Sequence, residues 1–174
     1  MTMYKSGEFV AQYINDGDLR DEQIQPNGVD LTVGELYGLH GEATLVDGDG
    51  YIKTPRQVMK TADEEYCRSD DGELVETSLY KVPPGAYVIQ YGEIIEIPEN
   101  HVGFVYPRSR VMRCGAWLST AVWDSGYRGK GEGGLLTFSD LKIEEDMRIA
   151  QIVFAETTQL EQEYSGFHQG ENLE

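Results

Sequence analysis

The sequence contains little cysteine and histidine. Its 174 residues include 2 cysteines and 3 histidines. Cys67 and Cys114 form no C-x-x-C pair, and two thiols in a chain of this length indicate a reducing, cytoplasmic compartment rather than a disulfide-stabilised secreted protein. The scattered histidines cannot supply the H-x-E and P-C-x-x-C ligand pattern, which excludes a zinc-dependent nucleobase deaminase.

Long apolar segments and the common phosphate-binding loops are also missing. No stretch approaches the length of a transmembrane helix, and the N-terminal apolar pairs are too interrupted for a signal peptide, so no membrane association is expected. Neither G-x-x-x-x-G-K-[ST] nor G-x-S-x-G occurs, which sets aside P-loop NTPases and α/β-hydrolases. Residues 129–134 match G-x-G-x-x-G, but they lead into a strand-like run, so no dinucleotide site is predicted.

Positive charge is scarce. The chain has 14 Lys and Arg against 31 Asp and Glu, a formal net charge of −17. Such a surface repels nucleic acid and anionic lipid, so neither is expected as a partner. Because the acids are spread among Val, Ile, Leu and Tyr along the whole chain, we expect a folded domain with an acidic surface. A salt-rich cytoplasm would stabilise such a surface by screening.

This charge predicts a salt-dependent stability. When KCl is lowered from about 1 M to about 0.1 M, the Debye length grows from about 3 Å to about 10 Å, and carboxylates repel one another over longer distances. The free energy of unfolding is therefore expected to fall, which urea unfolding followed by tryptophan fluorescence measures. Stability that does not fall at low salt contradicts the hypothesis of a halophilic protein.

The apolar pattern indicates one all-β domain. Ser6 is suited to cap a short helix through residues 9–14, which the turn at 16–18 ends. Alternating apolar residues predict strands at 29–33, 86–91, 93–97, 102–106, 134–138 and 149–154. Because many short strands separated by Gly, Pro, Asn and Asp are typical of all-β folds, we predict a barrel or distorted double sheet with few short helical turns.

Two regions depart from this pattern. Residues 46–82 are acidic with scattered apolar residues, and are interpreted as loops and a hairpin. The polar stretch from residue 161 onward carries two aromatics and two glycines between 164 and 170. Terminal fraying and ordering over a ligand both remain open for it. The chain is thus divided into a β domain at 1–160 and a flexible tail at 161–174.

Three of the few arginines are clustered. Arg108, Arg110 and Arg113 surround Ser109 directly after an apolar strand. Guanidinium groups beside a hydroxyl and the free amides of a turn suit phosphate oxygens, because they make paired, charge-assisted hydrogen bonds. A single surface arginine usually neutralises a nearby carboxylate. Three beside a serine, in so acidic a chain, favour a phosphate-binding segment.

A second candidate segment contains Asp124 at the entrance to a tight turn, three residues before Tyr127. An aspartate at this position most often caps the turn through its side chain. Near a phosphate site it would instead orient and deprotonate a water molecule, and the tyrosine would stack on a sugar or base. The local pattern alone favours the turn role.

Taken in order, these segments resemble the motifs of the trimeric dUTP pyrophosphatase family and of its relative, the dCTP deaminase family. The matching segments are 25–31 (QPNGVDL), 84–89, 95–98, 102–103, 107–109 (PRS), 121–129 (AVWDSGYRG), 148–153 (RIAQIV) and 164–170 (YSGFHQG). They are spread over most of the chain. The combination is most similar to the haloarchaeal branch of dUTP pyrophosphatases.

The resemblance implies a β-clip fold, a homotrimer with active sites between subunits, and hydrolysis of dUTP to dUMP and pyrophosphate with magnesium held largely by the triphosphate. It implies that Asp124 is the general base for attack on the α-phosphorus, and that Tyr127 packs on the deoxyribose and disfavours a ribose. Asp30 would contact the metal through a water molecule. The other substrate-binding residues that it implies are Arg108, Ser109, Arg110, Arg113, Val122, Gln151, Tyr164 and Gln169, with Arg148 reinforcing the site.

Two departures from the family patterns bear on the reaction. The deaminase branch carries a glutamate at the position aligned with Thr137, where threonine cannot carry the proton, and Glu132 lies several residues early. The asparagine that many relatives place before the third motif is replaced by residues 118–120 (LST), so backbone groups and Ser119 are expected to read the base. Hydrolysis of dUTP is the leading hypothesis. A bifunctional dCTP deaminase/dUTPase and a nucleotide-sensing regulator without turnover are the alternatives.

Overall fold

A computed structural model of the chain describes residues 3–14, 19–45, 51–67, 74–158 and 164–173. In these parts of the chain, no helix is both long and apolar enough to cross a membrane. The strands are β1 (Ile24–Gln25), β2 (Gly28–Leu39), β3 (Thr44–Leu45), β4 (Tyr51–Ile52), β5 (Arg56–Val58), β6 (Thr61–Cys67), β7 (Leu74–Val82), β8 (Gly85–Tyr91), β9 (Ile95–Glu96), β10 (His101–Pro107), β11 (Ala116–Ser119), β12 (Val122–Trp123), β13 (Arg128–Gly129), β14 (Glu132–Thr137), β15 (Leu141–Glu144) and β16 (Arg148–Glu156). The helical elements are α1 (Gly7–Ala11), a 3₁₀ turn (Asp21–Gln23) and α2 (Ser109–Arg113).

The predicted N-terminal helix is confirmed as α1. Ser6 caps it, since its side-chain Oγ accepts a hydrogen bond from an amide of the first turn at 3.3 Å. The helix is shorter than its apolar pattern, because Ile14 has left the helical path and forms a β-bridge with Ile95. The predicted stop at residues 16–18 lies outside the described residues.

The main sheet is built around β2. Its strand order is β11-β14-β8-β2-β16-β10-β12, with β1 and β5 also paired to β2, and these pairings are antiparallel. Residues 28–33 of β2 are all buried. A Cβ at Gly28 would lie 2.1 Å from the carbonyl oxygen of Ile152, so β2 and β16 approach each other closely there. Register shifts on both sides of β2 bend the sheet.

The core lies between the sheet and α1. Its fully buried members include Val10 of the helix, Leu31 and Leu36 of β2, and Ile152 and Phe154 of β16. Ile152 and Phe154 alternate along β16, as expected where one face of a strand contributes to a core, whereas β2 is buried on both faces at residues 28–33. The all-β prediction is therefore confirmed.

Five of the six predicted strands fall on observed strands, and the one at 93–97 is wrong in its first half. Only Ile95 and Glu96 pair there, with β13. Glu93 lies in a bend, and its carboxylate accepts a hydrogen bond from the Thr32 amide at 2.9 Å. The Glu93 side chain thus accepts the hydrogen bond of a β2 amide. In a continuing strand, a backbone carbonyl would accept that bond instead.

The hairpin expected within residues 46–82 is confirmed. Strands β6 and β7 are antiparallel from the pair Thr61–Tyr80 to the pair Cys67–Leu74, and β15 extends them to three strands. A second small pair, β3 with β4, precedes it. Residues 46–50 and 68–73 lie outside the described residues.

Candidate active site

Three central strands bring the first, second and fourth sequence motifs together. Gln151 of β16 is directly opposite Asp30 of β2 on one side and Tyr106 of β10 on the other. Arg108 follows β10, and its amide donates a hydrogen bond to the Ile149 carbonyl at 3.0 Å. Segments far apart in the chain therefore form one surface, as their grouping into one site predicted.

Asp30 is the centre of an ion cluster in this surface. Its side chain is 2% exposed, and its Oδ2 lies 3.1 Å from Nη1 of Arg108 and 3.4 Å from Nη1 of Arg148. Burial raises the pKa of Asp30, although both arginines act in the opposite direction. Nη1 of Arg108 is buried and makes no hydrogen bond of good geometry with any described residue. The Asp30 carboxylate is thus an ion-pair partner of Nη1 without a well-directed hydrogen bond, and a phosphate oxygen is a further acceptor suited to this guanidinium group.

Helix α2 carries the exposed part of the same surface. Ser109, Arg110 and Arg113 are all exposed. Neither arginine lies within 4.0 Å of a carboxylate oxygen of a described residue. In a chain with a net charge of −17, two arginines without such a neighbour form a local positive patch. We refer to Asp30, Arg108, Ser109, Arg110, Arg113, Arg148 and Gln151 as the arginine cluster.

One buried acid beside this cluster escaped the sequence interpretation. Glu93 is 2% exposed, and its carboxylate accepts hydrogen bonds from the Thr32 amide and hydroxyl, both at 2.9 Å, and from Nε2 of Gln23 at 2.8 Å. The same Nε2 donates to the Asp30 carbonyl at 2.9 Å. Glu93 therefore fixes the part of β2 that carries Asp30. The sequence did contain one sign of its burial, because Glu93 shares a face with Ile95 and Ile97 in the alternating run 93–97.

Glu93 predicts a pH-dependent stability. Burial raises its pKa above the usual 4.5, against the effect of its hydrogen-bond donors. Because the folded state then binds the proton more tightly, the contribution of Glu93 to stability is present below about pH 4.5 and is lost as the pH rises through the folded pKa. The unfolding free energy of the wild type, minus that of Glu93→Gln, is expected to fall as the pH rises above about 4.5, by at most about 1.4 kcal/mol per unit. Urea unfolding in molar KCl measures it, and a constant difference contradicts the prediction.

The third motif forms a separate cavity of about 200 Å³. The cavity is lined by Ala121, Val122, Trp123, Asp124, Tyr127, Glu132, Tyr164, His168 and Glu171. The buried rings of Trp123 and Tyr127 meet edge to face with centroids 5.2 Å apart, and Val122 is exposed. We refer to this site as the aromatic cavity. Its lining contains three carboxylates and no arginine or lysine, which suits an uncharged sugar and base better than a triphosphate.

The local sequence pattern favoured Asp124 as a side-chain cap of its turn, and this prediction is wrong. The turn is closed by the main chain, since the Tyr127 amide donates to the Asp124 carbonyl at 3.1 Å, and Gly126 adopts a φ of 82°. The Asp124 carboxylate is exposed and makes no hydrogen bond or ion pair with another described residue. The carboxylate therefore remains available to a water molecule or ligand.

The tail residues 164–173 lie beside the aromatic cavity of their own chain. The Tyr164 amide donates to the Ser125 carbonyl at 2.8 Å. The side chain of Gln169 accepts a hydrogen bond from the Arg128 amide at 3.0 Å and donates to the Gly126 carbonyl at 2.9 Å. Both residues thus contact the third motif directly. Their contact with a bound triphosphate stays a prediction.

The arginine cluster and the aromatic cavity lie far apart in one chain. Strand β12 pairs Trp123 with Gly103 near the start of β10, so Asp124 is level with Val102. Arg108 follows the other end of β10, roughly 20 Å away at about 3.3 Å per residue. A single chain therefore does not bring Asp124 and the arginine cluster to the same phosphate.

The residues that bear on deamination have structural partners. Thr137 is 5% exposed, and its hydroxyl donates to the Pro83 carbonyl at 3.0 Å. Glu132 forms an ion pair with Arg56 at 2.7 Å. Neither side chain is a free proton carrier. Ser119, the candidate base reader, is exposed at the end of β11.

A magnesium site made by the protein alone does not form among the described residues. No three His, Cys, Asp or Glu side chains converge in a way that could hold a metal ion. Asp30, the carboxylate predicted to reach the metal through water, is engaged by two arginines. The residues do not fit a resident metal, and a magnesium ion would have to bring most of its ligands with it.

The sequence is similar to characterised families over its whole length. A model of the dCTP deaminase-like family matches residues 4–157. The chain is 43% identical to the "Probable deoxyuridine 5'-triphosphate nucleotidohydrolase" of Halobacterium salinarum, over 99% of this chain and 97% of that protein. It is 35% identical to the deoxyuridine 5'-triphosphate nucleotidohydrolase of Methanocaldococcus jannaschii, over 88% of this chain and 91% of that protein.

A solved structure shows the same fold. The crystal structure of 2'-deoxycytidine 5'-triphosphate deaminase from Agrobacterium tumefaciens superposes with a TM-score of 0.58 at 18% sequence identity, covering 89% of this chain and 48% of that one. At this identity the likeness establishes the fold and not the reaction. The β-clip prediction is confirmed.

Proposed function

The chain belongs to the dCTP deaminase-like family, and from that premise we propose that it hydrolyses dUTP to dUMP and pyrophosphate. The relatives that are 43% and 35% identical both carry names for this activity. The proposal includes a cytoplasmic location, which the presence of only 2 cysteines supports.

The observation that carries the proposal is the state of Asp124. A general base must be ionised, within reach of water, and free of competing partners. Asp124 lines the aromatic cavity, is exposed, and makes no hydrogen bond or ion pair with another described residue. We therefore assign it to the water that attacks the α-phosphorus. The proton of that water passes to the Asp124 carboxylate as the new oxygen–phosphorus bond forms and pyrophosphate leaves.

The neighbouring aromatic residues are proposed to bind the nucleoside. Tyr127 is 6% exposed within a cavity whose lining holds no arginine or lysine, so its ring is suited to pack on an uncharged deoxyribose. Val122 and Tyr164 line the same cavity. Base recognition is assigned to backbone groups and Ser119 at the end of β11.

The phosphates are assigned to the arginine cluster of a neighbouring subunit. Arg110 and Arg113 have no carboxylate partner among the described residues, and the buried Nη1 of Arg108 pairs with Asp30 at 3.1 Å without a hydrogen bond of good geometry. Ser109 and Gln151 add neutral polar groups. Because this cluster lies roughly 20 Å along β10 from Asp124, a second copy of the chain is needed to complete the site. This requirement supports a homotrimer with active sites between subunits.

Exposed apolar side chains near helix α2 also support the homotrimer. Met112 of the helix is 65% exposed, Trp117 of β11 is 61% exposed and Phe138 is 74% exposed. Leu136 is directly opposite Trp117 in the sheet and is 44% exposed. Large side chains grouped in this way are typical of surfaces that bind protein. They support a subunit contact next to the arginine cluster.

Magnesium is proposed to enter with the substrate. No described group of residues fits a protein-bound ion, whereas a triphosphate supplies oxygen ligands of the kind that magnesium prefers. When bound, the ion would neutralise charge on the phosphates. Asp30 is proposed to reach it at most through water, because its carboxylate already contacts Arg108 and Arg148.

A substrate panel tests the function. Pyrophosphate release from dUTP, dCTP, dTTP and UTP is measured in molar KCl with and without magnesium. We expect turnover of dUTP and little turnover of the others. Ammonia formed from dCTP would instead establish a deaminase, against the engaged Thr137. Tight binding of dUTP without release of pyrophosphate would identify a nucleotide-sensing regulator.

A further inference from the structure

The tail contacts its own chain through main-chain hydrogen bonds to residues 128–130. The Gly170 amide donates to the Arg128 carbonyl at 2.8 Å, and the Lys130 amide donates to the Glu171 carbonyl at 3.0 Å. Next in the chain, Nδ2 of Asn172 donates to the Lys130 carbonyl at 2.8 Å. These bonds fix the position of Glu171, and its side chain lines the aromatic cavity.

Glu171 uses both carboxylate oxygens inside this cavity. Oε1 accepts a hydrogen bond from the Tyr127 hydroxyl at 2.9 Å, and Oε2 lies 2.8 Å from Nδ1 of His168. Burial and the nearby Glu171 charge raise the pKa of Tyr127, so its hydroxyl stays protonated and donates. A buried hydroxyl requires a partner. The tail supplies that partner.

The ring of Tyr127 is held on its other sides as well. The rings of Trp123 and Tyr164 stand edge to face with it, at centroid distances of 5.2 Å and 5.9 Å. A Cβ on Gly129 would lie 2.7 Å from the Tyr127 hydroxyl oxygen, so the backbone also presses on the end of the ring. The hydroxyl therefore lies between the backbone of Gly129 and the carboxylate of Glu171.

We propose that Glu171 is a specificity-determining residue, whose hydrogen bond holds the Tyr127 ring where it admits a 2'-deoxyribose and excludes a 2'-hydroxyl. The inference rests on the proposed function, which places the sugar of dUTP on Tyr127. It makes selection of the sugar depend on one hydrogen bond supplied by the tail, from the Tyr127 hydroxyl to Glu171. The reason is that Trp123 and Tyr164 pack on the ring, while Glu171 alone accepts a hydrogen bond from its hydroxyl among the described residues.

The test measures kcat/KM for dUTP and for UTP in three variants. Glu171→Leu removes the acceptor and is expected to lower the dUTP to UTP ratio roughly tenfold, the size of one lost buried hydrogen bond. Glu171→Gln retains an oxygen that can accept from Tyr127 and is expected to keep most of the ratio. Tyr127→Phe is expected to match Glu171→Leu, and combining the two should lower the ratio no further, because both remove the same bond.

Asn172→Ala is the matched control. It weakens the same tail contact at Lys130 but leaves the bond between Glu171 and Tyr127, so the ratio is expected to stay at the wild-type value. An active wild type with an unchanged ratio in Glu171→Leu overturns this inference alone, and so does an equal fall in Asn172→Ala. A wild-type protein that hydrolyses neither nucleotide overturns the inference together with the proposed function.

Discussion

Asp124→Asn is expected to lower kcat for dUTP by about 10²- to 10⁴-fold, the usual contribution of a general base. The amide keeps the size and polarity of the carboxylate but cannot take the proton of the attacking water. Because Asp124 is exposed and makes no hydrogen bond or ion pair with another described residue, its replacement is not expected to change folding or the affinity for dUTP. Pyrophosphate release measures kcat, and calorimetric titration with dUTP measures affinity.

Asp140→Asn is the control for this prediction. Asp140 is exposed in the turn between β14 and β15 and does not line the aromatic cavity, so the variant makes the same charge change away from the site. We expect it to retain wild-type kcat. Hydrolysis of dUTP by Asp124→Asn at the wild-type rate would refute the assigned mechanism.

The double variant Arg110→Gln/Arg113→Gln is expected to raise KM for dUTP by roughly 10²-fold or more. Each charge-assisted hydrogen bond contributes about 1.5–3 kcal/mol, and two are removed. Both side chains are exposed and lack a carboxylate partner among the described residues, so the free energy of unfolding should change little. Steady-state kinetics and urea unfolding separate the two effects.

Lys81→Gln/Lys142→Gln is the matched control for charge. It removes two positive charges from the three-stranded sheet of β6, β7 and β15, where both lysines contact Glu64. A general electrostatic effect on an anionic substrate would raise KM in both double variants alike. That result would contradict a specific role for Arg110 and Arg113.

The sequence predicted much of the fold because its strands are short apolar runs separated by turn residues. Leu31 and Val33 of β2 and Ile152 and Phe154 of β16 are all buried, as period-two patterning requires. The same reasoning did not predict the role of Glu93. Alternation put it on an apolar face, but only the structure shows the donors from Thr32 and Gln23 that make a buried carboxylate tolerable.

The candidate site was predicted less completely. The resemblance implied active sites between subunits, but the sequence did not show that the second motif, with Arg113, and the third motif, with Val122, are separated within one chain. The pairing of β10 with β12 sends these motifs to opposite ends of a strand, and alternation along the sequence does not show which strands pair. The sequence likewise gave no sign that Arg108 contacts Asp30, or that Glu171 accepts from Tyr127, because each pair joins distant segments.

Subunit mixing tests the central claim that one site combines Asp124 of one subunit with the arginine cluster of another. Equal amounts of Asp124→Asn and Arg110→Gln/Arg113→Gln are unfolded in urea, mixed and refolded in molar KCl. In randomly mixed trimers, one site in four joins an intact Asp124 to an intact arginine pair, so about a quarter of wild-type activity is predicted. A mixture no more active than the two variants refolded separately would contradict the account.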